Sequence, residues 1–187
     1  MTKTTAARKA TSAEFKRFFK TFPNILTQRG ELGTTLLMGK LEMNMLKAAI
    51  GAGADVNATD DRGLTALHWA AFDNDPKKVQ LLVKHGADIN AQDLIRGGTP
   101  LLSSTALKSF DAAEILIKLK ADPNIMDDKG NTPLHYATQR GHSRLVKMLV
   151  DHGANIHLEN RDGYSPVDLS RNRNSRKIFE LLKGFVS

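Results

Sequence analysis

Gly130-Asn-Thr-Pro-Leu-His-Tyr-Ala137 decides how this chain reads, because the phrase returns along it. Its counterparts are Gly63-Leu-Thr-Ala-Leu-His-Trp-Ala70, Gly97-Gly-Thr-Pro-Leu-Leu-Ser-Ser104 and Gly163-Tyr-Ser-Pro-Val-Asp-Leu-Ser170, whose leading glycines are 34, 33 and 33 residues apart. A second phrase recurs in step with the first: Gly53-Ala-Asp-Val-Asn57, Gly86-Ala-Asp-Ile-Asn90, Lys120-Ala-Asp-Pro-Asn124 and Gly153-Ala-Asn-Ile-His157. Self-similarity at a fixed period near 33 marks a repeat architecture, in which each unit is too small to bury its own apolar face and is stable only when stacked on its neighbours.

The residues of one period dictate a helix, a tight turn and a second helix. Thr132 can cap a helix, and Pro133 then takes the first helical position, where its missing N–H costs nothing and its fixed φ already suits the helix. Leu134, Ala137, Val146, Leu149 and Val150 give two short apolar faces broken at Gly141. Gly153 ends the second helix, and Gly130 permits the positive φ of the turn leading into the next unit.

Two phrases recurring in phase resemble the ankyrin-repeat family over residues 32–187. The resemblance implies an all-α solenoid of stacked helix-turn-helix pairs with projecting β-hairpin-like fingers. Complete units are expected at about 59–91, 92–125 and 126–158. An N-terminal cap at 32–58 has a degenerate first helix. A C-terminal cap at 159–187 is made polar by Arg171, Arg173 and Arg176. Residues 1–31 form a basic extension. The second unit departs most from the pattern, with Leu102 in place of His, Ser104 in place of Ala and Lys120 in place of Gly. One extra residue between Gly86 and Gly97 lengthens its finger and puts Leu94 and Ile95 at a tip that should be wet.

Composition narrows the function. With 41% hydrophobic and 25% charged residues the chain sits near the globular average, so most of it should fold. The absence of cysteine rules out a disulfide framework, a thiolate zinc site and a cysteine nucleophile. No apolar stretch approaches the roughly 18 residues of a membrane span, and residues 1–20 lack a secretory apolar core. Formal charge is +7. Residues 1–31 hold seven Lys/Arg against two acids, 32–160 fourteen against fifteen, and 161–187 six against three. A neutral middle between basic ends disfavours nucleic acid as the partner of the body.

Residues that could suggest chemistry have structural explanations. His68 and His135 fall in the Thr-x-Leu-His phrase, which the family uses for hydrogen bonds between repeats. His85 and His152 precede helix-ending glycines, where a cation suits the helix C-terminus. Asp60-Asp61 and Asp127-Asp128 sit in turns without the spaced oxygens of a calcium loop. No metal-binding His pair, nucleophile elbow or phosphate loop occurs. The expectation is a non-enzyme without cofactor or metal. Asn57, Asn90 and Asn124 match positions sometimes hydroxylated in related repeats, although turn chemistry already accounts for them.

The resemblance places partners on the concave face and fingertips. Fingertip candidates are Arg62, Leu94, Ile95, Arg96 and Lys129. Candidates on the groove side of the first helices are Trp69, Phe72, Leu107 and Tyr136, continued by Gln139, Arg140 and Arg173. Aromatic and arginine side chains lead because they dominate binding hot spots. For Trp69 and Tyr136 core packing competes with contact.

The extension carries its own signal. Thr11-Ser-Ala-Glu14 matches a capping box, and Phe15, Phe18, Phe19 and Phe22 then follow at helical spacing until Pro23, which predicts an amphipathic helix over about 12–22. It is expected to dock on the degenerate first unit. The alternatives are a partner groove or anionic membrane surface reached through residues 12–22, or an organelle transit role for residues 1–20. Together these readings point to a monomeric, cytoplasmic scaffold, adaptor or inhibitor that binds a protein. The alternatives are a substrate-recruiting subunit of an enzyme complex, or a bacterial effector acting on a host protein.

Overall fold

The computed structural model describes residues 11–30, 33–171 and 176–185. Residues 1–10, which open the extension and carry half of the residues considered for a transit role, and Arg173 among the partner candidates lie outside the described residues.

Short helices follow one another in pairs. First come α1 (Ser12–Thr21) and α2 (Met43–Gly51), then the pairs α3 (Ala66–Phe72) and α4 (Pro76–Lys84), α5 (Pro100–Leu107) and α6 (Phe110–Lys118), α7 (Pro133–Gln139) and α8 (Ser143–Asp151), and α9 (Pro166–Ser170) and α10 (Arg176–Lys183). Thr65, Thr99, Thr132 and Ser165 stand in extended backbone and open α3, α5, α7 and α9, and proline follows all but Thr65, as the phrase requires. The first helices stack as one layer and the second helices as another. Leu67, Leu101 and Leu134 are buried in one layer and Leu82, Leu116, Leu149 and Leu182 in the other, so each period delivers the same leucines to one continuous core. Burying each contributes about 1.5–3 kcal/mol. Alanines such as Ala70, Ala71, Ala112, Ala113 and Ala137 are fully buried between the layers, where a larger side chain would push the helices apart.

Polar side chains stitch the units together at the period of the sequence. Asn57 Oδ1 accepts from Asp88 N at 2.8 Å and its Nδ2 donates to Gly86 O at 2.9 Å. Asn124 repeats both bonds to Asn155 N and Gly153 O, and Asn90 accepts from Asp122 N. His68 Nε2 reaches Gly98 O, and His135 Nε2 reaches Tyr164 O, each at 3.0 Å.

The fingers are hairpin-shaped but carry almost no strand pairing. Among the described residues there is one isolated bridge, between Thr59 and Thr65. A backbone bond crosses each finger, from Asp60 N to Leu64 O, Asp127 N to Asn131 O and Asn160 N to Tyr164 O, and side-chain oxygens add to it: Asp60 Oδ1 accepts from Arg62 N and Leu64 N, Asp127 Oδ1 from Lys129 N and Asn131 N, and Asn160 Oδ1 from Asp162 N and Tyr164 N. Gly130 has φ 74°, and a Cβ there would lie 2.9 Å from Arg161 N of the next finger, so the finger stacking demands glycine twice over.

The first unit is capped from outside. A 3-10 turn at Leu36–Met38 stands where a first helix would be, and α1 packs on α2. The capping box of Thr11 and Glu14 forms. Phe15 and Phe19 enter the core, whereas Phe18 and Phe22 stay 39% and 55% exposed, so half of the phenylalanine stripe is docked. Lys78 is buried, and its ammonium donates to Gly39 O at 3.0 Å, tying the cap to the first full repeat. Burial pushes its pKa down against the pull of Asp73 and Asp75. In α10 Ile178 and Leu182 are buried while Lys177 and Lys183 face water.

Candidate functional site

A notch opens on the concave side at the second repeat. In the first-helix register Trp69, Ser103 and Tyr136 are equivalent, as are Phe72, Ala106 and Gln139. The second repeat therefore puts two small side chains between large ones. The space they leave is a cavity of about 270 Å³. Phe72 and Tyr136 flank it, Ser103, Ala106 and Leu107 line α5, and Ile95 and Arg96 close it from the finger. Leu64 and Leu102 also border it, and both are almost fully buried.

The lengthened finger is what brings Ile95 there. Asp93 Oδ1 accepts from both Ile95 N and Arg96 N at 2.8 Å, which folds the extra residue into a turn over the notch. Ile95 is 52% exposed and Leu107 61%, an unusual amount of apolar surface for an open groove. Leu94, which the sequence paired with Ile95, goes elsewhere. It is 80% exposed on the tip against Gly63, and it does not line the notch.

Other candidates surround the cavity without lining it. Arg62 lies over Trp69, its Cζ 5.3 Å from the ring centroid, and pairs with Asp60 at 3.0 Å. Trp69 meets Phe72 edge to face, and its Nε1 is buried without a hydrogen-bond partner. The rest of the half-buried indole packs against Phe72 and under Arg62. Arg140 donates from its guanidinium to Ala106 O at 2.9 Å, and Gln139 and Lys129 are exposed. The Tyr136 ring borders the notch while its hydroxyl donates to Asp127 Oδ2 at 2.7 Å. Burial, helped by the Asp127 carboxylate, pushes the phenol up to about 12.

His68 and His135 are held as neutral imidazoles. Thr65 N and Thr132 N can only donate, and they do so to Nδ1 of His68 and His135 at 3.1 and 3.0 Å. The carbonyls of Gly98 and Tyr164 can only accept, so Nε2 carries the proton. Burial is the main cause of the lowered pKa of both rings. Both rings therefore act in packing and capping. Among the described residues no cluster of three or more His, Asp or Glu could hold a metal, and no helix is long and apolar enough to cross a membrane.

Residues 6–127 and 101–185 match the family described as ankyrin repeats in three copies. The chain belongs to the ankyrin-repeat family. It is 33% identical to the B-cell lymphoma 3 protein homolog of Mus musculus over 143 residues, which are 76% of this chain and 31% of that protein. It is likewise 33% identical to ankyrin repeat and SOCS box protein 6 of Homo sapiens over 138 residues, 68% of this chain and 33% of that protein. The neurogenic locus notch homolog protein 1 of Danio rerio is 31% identical over 147 residues, 78% of this chain and 6% of its own length. This chain thus spans about a third or less of these relatives. Ankyrin repeats generally mediate protein–protein interaction.

Sequence reasoning found Phe72, Ile95, Arg96, Leu107 and Tyr136 of the notch but passed over Ser103, Leu64 and Leu102 as lining residues. The signal was present in the repeat alignment: a small residue where both neighbours carry an aromatic ring marks a gap, and Leu102 was noted only for the hydrogen bond it forgoes.

Proposed function

We propose that this ankyrin domain acts without catalysis, as a scaffold, adaptor or inhibitor that holds a segment of another protein on its concave face, anchored at the notch of the second repeat. The observation that supports this is the apolar cavity of about 270 Å³ between Phe72 and Tyr136, open to solvent and bordered by half-exposed Ile95 and Leu107. A volume at the bottom of the range for small-molecule sites suits one or two side chains better than a metabolite. Buried apolar anchors flanked by aromatic rings are the usual seat of binding energy in an interface.

The test is selection of a displayed library of random 12-residue peptides on the purified full chain, followed by affinity measurements on the selected peptides. The double substitution Leu94→Asp and Ile95→Asp is expected to weaken them tenfold or more while leaving the helical circular dichroism signal intact. Leu94→Asp alone should do much less. Equal affinity for the double variant and the original would overturn the proposal.

A further inference from the structure

The stacking of the fingertips makes a second pattern visible. Leu94 N donates to Arg62 O at 2.8 Å, Asp128 N to Arg96 O at 2.7 Å, and Arg161 N to Lys129 O at 2.9 Å. These bonds set the tips in register, so Arg62, Arg96 and Lys129 occupy one row, which ends at Asp162 in the terminal unit. The row is turned toward the groove, since Arg62 lies on Trp69 and Arg96 lines the notch. From the opposite side Arg140 is pinned at the lip by Ala106 O. None of Arg96, Lys129 and Arg140 pairs with a carboxylate among the described residues.

The acids nearby differ in what they present to a partner: Asp73 is exposed in the register that Arg140 holds in the third repeat, whereas the acids at the notch itself are turned inward. Asp93 and Asp127 border the notch, but both are buried. Their oxygens accept Ile95 N, Arg96 N, Lys129 N, Asn131 N and the Tyr136 hydroxyl, so they are committed to holding the turns. Asp61 and Asp128 share the neighbouring tip row with Leu94, which lies outside the notch, and Asp61 is 3.8 Å from Arg29. What a partner meets at the second and third repeats is an apolar hole with Arg96 and Lys129 on the finger side and Arg140 on the other.

Resting on the proposal that the notch anchors a protein segment, we infer that the segment is acidic: one large apolar side chain enters between Phe72 and Tyr136, and Asp or Glu residues beside it meet Arg96, Lys129 and Arg140. Charge complementarity of this kind selects partners and speeds their association.

The same peptide selection tests the inference, with three further measurements by fluorescence anisotropy on the full chain. Ala106→Phe fills the notch with the residue the first repeat already carries at this register, and Ala106→Gln copies the third repeat should the bulkier ring disturb folding. Arg96→Glu with Lys129→Glu reverses the lip. A 12-residue oligothymidylate serves as a polyanion without an apolar side chain. Selected peptides should place Asp or Glu around a single Leu, Phe or Trp, and both the filled and the reversed variants should bind them roughly tenfold or more weakly. Peptides that carry the apolar residue without acidic neighbours, and are lost on Ala106→Phe but indifferent to charge reversal, would overturn the acidic partner and leave the groove reading standing. Peptides indifferent to Ala106→Phe would overturn both. Displacement of the peptides by oligothymidylate at equal concentration would overturn the inference in favour of a nucleic acid.

Discussion

The second repeat and the repeats on either side of it have the same fold and different loyalties. In the first and third, a neutral histidine caps its own helix through Thr65 or Thr132 and bonds the next repeat through Gly98 or Tyr164. In the second, Leu102 provides neither bond. The turn between helices uses Gly141 in the third repeat and Asn74 in the first, where Asn74 also accepts from Ala112 N, but the second repeat forces Lys108 to φ 65°. The turn after the second helix uses Gly86 and Gly153 in the flanking repeats and Lys120 at φ 67° in the second. Three choices that favour a stable stack are thus absent from the unit that carries the notch. The comparison teaches that the middle repeat keeps its asparagine bonds to the next unit through Asn124 but gives up the histidine bond and both favourable turn residues, in the same unit whose small side chains open the notch.

The comparison breaks most forcibly if the second repeat's exception is copied into the third. His135→Leu leaves Thr132 N without its histidine partner in a buried place and Tyr164 O without one in a partly buried place. The expected loss is about 3 kcal/mol, from stranded polar groups plus the lost capping bond. Urea unfolding followed by circular dichroism measures it. A loss below about 1 kcal/mol would mean that the histidine bonds do not separate the two kinds of repeat.

Acid should act on the flanking repeats alone. Because burial lowers the pKa of His68 and His135 from 6.5, despite the opposing pull of Asp60 and Asp93 on the first and Asp127 on the second, the unfolded chain takes up their protons more readily than the folded one. Their contribution to stability is then complete above the unfolded value and falls as pH drops through 6.5 toward the folded values. Protonation at Nδ1 would also set an N–H against the donors Thr65 N and Thr132 N. The melting temperature should therefore be level from pH 7.5 to 8.5 and decline between pH 6.5 and 5. His135→Leu should show a shallower decline than the original chain, and an equal slope in the two would remove these rings from the account.

The stack was legible in the sequence because its physics is local and periodic. Thr132 and Pro133 announce a helix start, and Leu82, Leu116 and Leu149 recur at the repeat spacing, so the pairing of helices follows from counting. The histidine bonds were legible only through the resemblance to ankyrin repeats, which implies them for His68 and His135. The notch was less so, since it arises from what Ser103 and Ala106 lack and from where Ile95 goes once Asp93 folds the extra residue inward. Alternation of Leu94 and Ile95 along the chain does not say which of them faces the groove. Nor does helical spacing separate Phe15 and Phe19, which dock, from Phe18 and Phe22, which do not, since all four share one stripe. Lys78 was missed because a lysine on a second helix ordinarily faces water, and only the open carbonyl of Gly39 in the degenerate cap gives it a buried partner.

The smallest effect sharpens the comparison in the opposite direction, by restoring to the second repeat what its neighbours have. An L-residue other than glycine held in the left-handed region costs roughly 1–2 kcal/mol, and a glycine put there gives back part of that gain through its freer unfolded chain. Lys108→Gly and Lys120→Gly should each stabilise the chain by about 0.5–1 kcal/mol, and the pair should add, because the two turns lie at opposite ends of α6 and share no hydrogen bond. Both lysines are exposed, so no packing is lost. Chemical unfolding of the two single variants and the double variant measures the gain. If the variants are also tested against the selected peptides, affinity should be unchanged, because neither lysine lines the notch. A stabilised chain that binds as before would show that the backbone strain of the second repeat and its surface are separable. A loss of binding on Lys108→Gly would instead place this strained turn, which directly follows Leu107, among the features that hold the notch open.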